Sequence, residues 1–427
     1  MPSYLCCISS PAGIPVLCKK KGDIANLPFP IQAALNGAFV FGKSFDVHLL
    51  SVETTCCQIR WREFQDSVTV ILICKLSTGD PIHLDHLMDQ VWDAMVLCVG
   101  VDDLANMANV EKVKRQLKGC YRLVDRLLDG LEEGHDTFCD LTGLPDVMLL
   151  PPSTKLQMAL ELVTESADST YGCLLVHGRL AAATRNWHQL AARDLCLLAM
   201  YVRAARGSAA ARDVSVFLPV KSPHVPFRLL VCRLSEVSEV CVLCGPTPSL
   251  EELERETVRH WGPVLETVRL QELAHPRDLP ASVVLDPALL SVLVESDAIQ
   301  RCVASCSPHG GVPERPAPAP APAAAAAAAA IETRRRQLRT FYRMSASQLH
   351  PGRFDGSAPV SADGGGGGDG AQATETYSMS DDHCCYGLRS GPHSVYALFV
   401  RDTPPHVMRG VTQNTLQQLT SIKQVRF

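Results

Sequence analysis

Short apolar runs with strand character alternate with longer runs of helical period through most of the chain. Tyr4–Ile8 and Pro15–Cys18 are strand-like and flank a Pro/Gly turn, which predicts a hairpin. Pro30–Asn36 reads as a short helix, followed by strands at Asp46–Val52, Cys57–Trp61 and Ser67–Cys74. Beyond them Leu84, Leu87, Met88, Val91, Met95, Cys98 and Val99 fall on one helical face. A second helix carries Val110, Val113, Leu117, Tyr121, Val124 and Leu128, with Asn109 as its N-cap. The order is ββαβββαα.

The middle of the chain repeats it. After a helix near Leu156–Val163, strands at Tyr171–Val176 and Arg179–Ala183 meet at His177-Gly178. A helix at Arg193–Val202 precedes strands at Val214–Pro219, Phe227–Leu234 and Val240–Cys244. A long helix then runs from about Leu250 to Leu270. In the last third, Ala288–Val294 and Ala298–Ser305 are apolar stretches that period alone leaves open between helix and strand. Strands near Cys385–Leu388 and Val395–Arg401 and a helix at Val411–Leu419 give a third copy that reads one strand short.

That copy is interrupted by a Pro-Ala run, Pro316 to Ala330, and a glycine run, Gly364 to Gly370. Such composition cannot bury enough apolar surface to offset chain entropy, which predicts disorder at about 307–330 and 350–380. The island Ile331–Gln348 has helix-forming composition, and the alanines can extend it N-terminally. The predicted fold class is α+β. It comprises three domains at 1–135, 150–272 and 283–427, each an antiparallel sheet with helices on its faces.

A length of 427 residues suits that number of domains. Lys+Arg minus Asp+Glu is 40 − 45 = −5, which argues against nucleic-acid binding through bulk charge. No apolar run approaches the roughly 18–20 residues of a membrane span. The N-terminal MPSYLCCISSPAGIPVL has no basic leader, so a cytoplasmic protein is expected. Its 18 cysteines are then expected to be mostly free thiols.

Candidate chemistry is sparse. Gly37–Ser44 formally matches a phosphate loop, but that mechanism needs a loop leaving a strand and opening a helix. Here the match follows a helix, leads toward a strand and is filled with Ala-Phe-Val-Phe. Cys241-Val-Leu-Cys244 lies in a strand that sends its thiols to opposite faces, so both read as small buried hydrophobes. His83 and His86 are expected in a solvated first helical turn. No catalytic residue, cofactor or metal site is expected. Lys112, Arg115, Lys118, Arg122 and Arg126 form one basic stripe, read as a solvated face. Arg334, Arg335, Arg336, Arg339 and Arg343 form a denser one, a candidate contact for anionic phospholipid or an acidic partner.

Several stretches together resemble a known family. They are Leu35-Asn36-Gly37 with Phe41-Gly42, Trp61, Phe64-Gln65-Asp66-Ser67-Val68-Thr69, and Ala94-Met95-Val96-Leu97 with Val99-Gly100. Asn109-Val110-Glu111, Leu243-Cys244-Gly245-Pro246, Arg334-Arg335-Arg336, Leu338-Arg339 and Phe341-Tyr342 continue the series. In this order the chain resembles the Fuzzy family of planar cell polarity effectors. The resemblance implies three longin-like domains and pairing with Inturned, a second tri-longin protein. It also implies membership, with Fritz, of the ciliogenesis and planar polarity effector complex at the ciliary basal body. By analogy with other paired tri-longin proteins, the pair would be a guanine-nucleotide exchange factor for a Rab-family GTPase in vesicle traffic. The alternative is a scaffold or adaptor without exchange activity. Exchange requires surface rather than a catalytic triad. The first predicted helix and the strand after it form an unusually apolar stretch around a Gly-flanked turn, which nominates Leu35, Asn36, Phe39, Phe41 and Lys43 as partner or GTPase contacts. The competing reading makes Phe39 and Phe41 core residues.

Overall fold

The computed structural model describes residues 3–421 apart from 11, 24, 77–79, 132–135, 152, 208, 308–320 and 351–373. The first domain begins with β1 (Ser3–Ser9) and β2 (Ile14–Lys21), followed by α1 (Phe29–Lys43). Next come β3 (Ser51–Glu53), β4 (Cys57–Phe64) and β5 (Val68–Lys75). Four helices follow: α2 (Pro81–Val99), α3 (Val101–Ala105), α4 (Val110–Leu117) and α5 (Tyr121–Asp129). Beyond α6 (Cys139–Thr142) and α7 (Thr154–Ser166), the second sheet opens with β6 (Tyr171–Val176) and β7 (Arg179–Ala183). Then come α8 (Arg185–His188), α9 (Ala192–Ala204), β8 (Ala211–Leu218), β9 (Ser222–Arg233) and β10 (Ser238–Cys244). Helices α10 (Leu250–Trp261) and α11 (Leu265–Leu273) lead to β11 (Leu289–Ser296) and β12 (Arg301–Cys306). The chain closes with α12 (Ala321–Leu349), β13 (Glu375–Met379), β14 (His383–Ser390), β15 (His393–Val400) and α13 (Pro405–Thr420).

Each sheet is five-stranded and antiparallel with one permutation: β2-β1-β5-β4-β3, β7-β6-β10-β9-β8 and β12-β11-β15-β14-β13. The repeated topology expected from the hydrophobic pattern is therefore present three times. By contact the chain falls into two compact units, 1–133 with 156–178 and 182–265, and 134–155 with 179–181 and 266–427.

Local chemistry explains several element ends. The Asp80 side chain accepts from Ile82 N and caps α2, and Asn109 accepts from Lys112 N to cap α4. Ser249 and Glu252 form a reciprocal capping box on α10. The β6–β7 turn places His177 and Gly178 at φ 51° and 77°, and the β4–β5 turn places Gln65 and Asp66 at φ 53° and 50°. Two positive φ values match the twist of the flanking strands. Gly172 in β6 marks a close helix approach: a Cβ there would overlap Thr164 Cγ2 and lie 3.3 Å from Leu160 Cδ1, both on α7. Gly172→Ala is expected to destabilise the second domain by about 1–3 kcal/mol, read as a lower urea midpoint.

Several expectations are corrected. The first helix does not stop at Asn36 but continues through Lys43, so the expected strand Asp46–Val52 shrinks to β3. The phosphate-loop match thus lies in the last turns of a helix and the residue capping it, where the backbone amides serve helical bonds. The long second-domain helix breaks at Gly262-Pro263, where proline removes a backbone donor. The third sheet has its fifth strand, β13, because pairing with β14 recruits a short segment that the disorder expectation had covered. Ala321–Ala330 likewise belongs to α12, while 308–320 and 351–373 lie outside the described residues. Cys241 and Cys244 are buried in β10 as expected, but His83 is buried, not solvated.

In the second unit a buried charge cluster surrounds Asp278. Arg179 Nε lies 3.2 Å from its carboxylate, and both side chains are fully buried. His275 Nδ1 lies 2.9 Å from Asp278 Oδ2, and Arg335 donates to His275 Nε2 at 2.8 Å, which fixes the tautomer. Burial pushes His275 down to about 4, against the pull of Asp278. Burial alone would raise Asp278, but Arg179 and His275 outweigh it and hold it below its usual range. A lowered folded-state pKa stabilises above the unfolded value and is lost as pH falls through the folded one. This unit is therefore expected to lose roughly 3 kcal/mol of stability from His275 between pH 6.5 and 4. Urea unfolding across that range should show the slope, and His275→Gln should flatten it.

Candidate functional site

The feature that sets the first domain apart is the outer side of α1. Among its 15 residues only Lys43 carries a charge. Its inner side presents Gln32, Asn36 and Phe39 at helical spacing to a core of Tyr4, Cys6, Ile8, Trp61 and Ile71. Trp61 Nε1 donates to Leu35 O at 3.2 Å and fixes the helix on the sheet. At the C-terminal end Lys43 Nζ reaches Glu63 at 2.6 Å and Asp66 at 2.9 Å, tying α1 to the β4–β5 turn. Those two hydrogen bonds push the Lys43 ammonium pKa upward.

The opposite side is apolar and open to solvent. Phe29 is 62% exposed, Phe41 67%, Phe45 66% and Leu50 66%. Phe41 and Phe45 pack on each other with ring centroids 5.0 Å apart, and Val40 and Val47 extend the patch. Between Phe29 and Phe41 the surface is Ala33, Ala34, Gly37 and Ala38, all exposed, which makes the ridge low. Further along the chain, the three residues of β3 are exposed at one edge of the sheet. An edge strand offers unpaired backbone groups to another chain.

The helix at the corresponding position of the second sheet is covered, and that of the third packs on its own sheet. In the first unit α9 buries Leu195, Cys196, Leu197, Leu198 and Met200 and packs against α2 and α5. Arg193 at its start forms a two-pronged pair with Asp93 of α2. In the second unit α12 packs on β11, β14 and β15. Exposed apolar side chains grouped like Phe41 and Phe45 mark interaction sites on folded proteins.

Three family models match the chain, describing the first, second and third longin domains of FUZ, MON1 and HPS1. They cover residues 3–127, 167–262 and 291–423. The chain is 33% identical to the Protein fuzzy homolog of Xenopus tropicalis over 420 residues, which is 98% of this chain and 97% of that protein. The mouse and human Protein fuzzy homologs are each 31% identical, over 438 and 439 residues. These matches span 99% and 98% of this chain and 98% and 97% of those proteins. The chain belongs to the Fuzzy family. Its three sheets are longin domains, and the open face lies on the first of them.

In this Fuzzy-family chain the nominated residues separate into two groups. Asn36 and Phe39 are core, with Leu35 partly so, while Phe41 stands free and Lys43 is half exposed and paired. Phe29, Val40, Phe45, Val47 and Leu50 were not nominated. For Phe29 and Val40 the signal available was the charge-free run from Ala25 to Gly42, while Phe45, Val47 and Leu50 lie beyond it. The second basic stripe is corrected. Arg335 and Arg339 are buried, pairing with Asp136 and Asp140 respectively, and Arg336 pairs with Glu332. Arg334 donates to Ser307 O, and burial pushes Arg343 down to about 10. Interior pairing leaves α12 without the continuous cationic face that an anionic membrane would need. In the first stripe Lys112, Arg115, Lys118 and Arg122 are exposed. No helix among the described residues is long and apolar enough to cross a membrane.

Proposed function

We propose that this chain is one subunit of a guanine-nucleotide exchange factor for a Rab-family GTPase, formed by pairing with Inturned. It would act in ciliogenesis, planar cell polarity and vesicle traffic at the basal body, in the complex that includes Fritz. The observation that carries the reading is the open, charge-free side of α1 with Phe41, Phe45 and the β3 edge. Membership of a family of longin proteins supports it.

Exchange needs tighter binding to the nucleotide-free GTPase than to the loaded form, and that difference drives release. An apolar ridge suits the task because a switch loop that packs on Phe41 and Phe45 is drawn away from phosphate and magnesium. Lys43 is held by Glu63 and Asp66, so its role is to fix the helix end rather than to reach a phosphate. Such chemistry forms no covalent bond and uses no cofactor. The test is nucleotide release from a panel of Rab GTPases with this chain, with Inturned and with the co-purified pair. Acceleration by the pair alone supports the reading. A stable pair with no acceleration on any GTPase favours the scaffold.

A further inference from the structure

Cys6 and Cys18 are directly paired across β1 and β2, and their sulfurs are 3.2 Å apart. Cys6 is buried, while Cys18 is exposed on an edge strand. Both sulfurs also lie within hydrogen-bond reach of one acceptor, Gln32 Oε1, at 3.7 Å and 3.9 Å. The Gln32 amide in turn donates to Tyr4 Oη at 3.0 Å and to Leu27 O at 2.7 Å. The thiol pair therefore forms part of the attachment of the N-terminal turns of α1. We infer that Cys6 and Cys18 are a redox modification site, which a small disulfide such as oxidised glutathione converts to a cross-strand disulfide, loosening the start of α1.

The two sulfurs have different roles. The hydrogen bond from Cys6 lowers Cys18 to about 7, against the opposing effect of burial, with Tyr4 and Lys114 assisting. The same hydrogen bond and burial push Cys6 up. Cys18 is therefore the first nucleophile and Cys6 the resolving thiol. The Cys18 thiolate attacks one sulfur of oxidised glutathione, and a glutathione thiolate leaves. Cys6 then loses its proton to that thiolate through solvent and attacks Cys18 Sγ, releasing the second glutathione. Two electrons pass from the protein thiols to glutathione disulfide, giving one protein disulfide and two reduced glutathiones. The disulfide keeps no S–H to offer Gln32 Oε1. Cys173 and Cys241 are also directly paired, across β6 and β10, but both are buried, and burial pushes Cys173 far above the usual thiol range.

The test treats the full chain with oxidised glutathione at pH 7, followed by non-reducing peptide mapping. The expected first product links Cys6 to Cys18. Cys18→Ser should abolish it, and Cys6→Ala should stall at a glutathione adduct on Cys18. Alkylation of Cys18 should run about three-fold faster than that of the exposed Cys56, since greater thiolate content outweighs lower nucleophilicity. Hydrogen exchange across residues 29–35 should accelerate in the oxidised chain. A lasting adduct on Cys18 in the unmutated chain, or Cys56 reacting first, would overturn the pair. Unchanged exchange in residues 29–35 would overturn the link to α1. None of these readouts involves nucleotide release, so they stand apart from the exchange-factor reading.

Discussion

Arg339→Ala is expected to cost about 3–5 kcal/mol and to loosen α12 from the Thr137–Asp140 segment. The guanidinium is almost wholly buried and grips Asp140 with both terminal nitrogens. Nη1 lies 2.9 Å from Asp140 Oδ1 and also donates to Thr137 O at 2.7 Å, while the Phe138 ring sits 5.7 Å from Cζ. Truncation would leave the Asp140 carboxylate inside without its counter-charge, and this stranded charge sets the magnitude. Arg339→Lys should recover little, because one ammonium cannot reproduce two parallel bonds. Arg339→Met combined with Asp140→Leu should recover most of the loss, since neither charge is then stranded. Hydrogen exchange along α12 and β15 at increasing urea measures all three. A loss under about 1 kcal/mol for Arg339→Ala would mean that water solvates the pair.

The second large effect is on binding. Phe41→Glu combined with Phe45→Glu should leave folding stability within about 0.5 kcal/mol, because both rings face solvent. The same pair should weaken docking on α1 by about thirty-fold or more, the 2 kcal/mol or so of a hot-spot loss. Two carboxylates would have to enter an apolar contact without a partner. Phe39 cannot serve in this test, since truncating it opens a cavity beneath α1 and confuses folding with docking. Circular dichroism and urea unfolding check the first half, and titration with Inturned or a nucleotide-free Rab checks the second.

Most of the first two sheets was legible because their strands carry their own punctuation. His177-Gly178 stands between two apolar runs, and the stripe from Leu84 to Val99 allows one helical reading. The Asn109 cap was legible for the same local reason. What was missed depends on partners distant in sequence. Arg335 and Arg339 look like a surface stripe until Asp136 and Asp140, 199 residues earlier, are placed beside them. β13 is a five-residue strand beyond a glycine tract, specified by the edge of β14 rather than by its own alternation. Within the candidate site, Gly37 and Gly42 suggested a turn, and the helix ran through both. A helix without charges reads equally as buried or as waiting for a partner, and only the burial of its neighbours separates the two. Hence Phe41 was nominated alongside Phe39, although one is exposed and the other is core.

The most direct test of the central claim is fluorescent-nucleotide release from the responsive Rab GTPase. It compares the Inturned pair carrying the unmutated chain with the pair carrying Phe41→Glu and Phe45→Glu, each at a concentration where assembly is confirmed by light scattering. The account predicts that the unmutated pair accelerates release and that the assembled variant loses most of that acceleration. Full acceleration by the assembled variant would contradict it and move the exchange surface off α1.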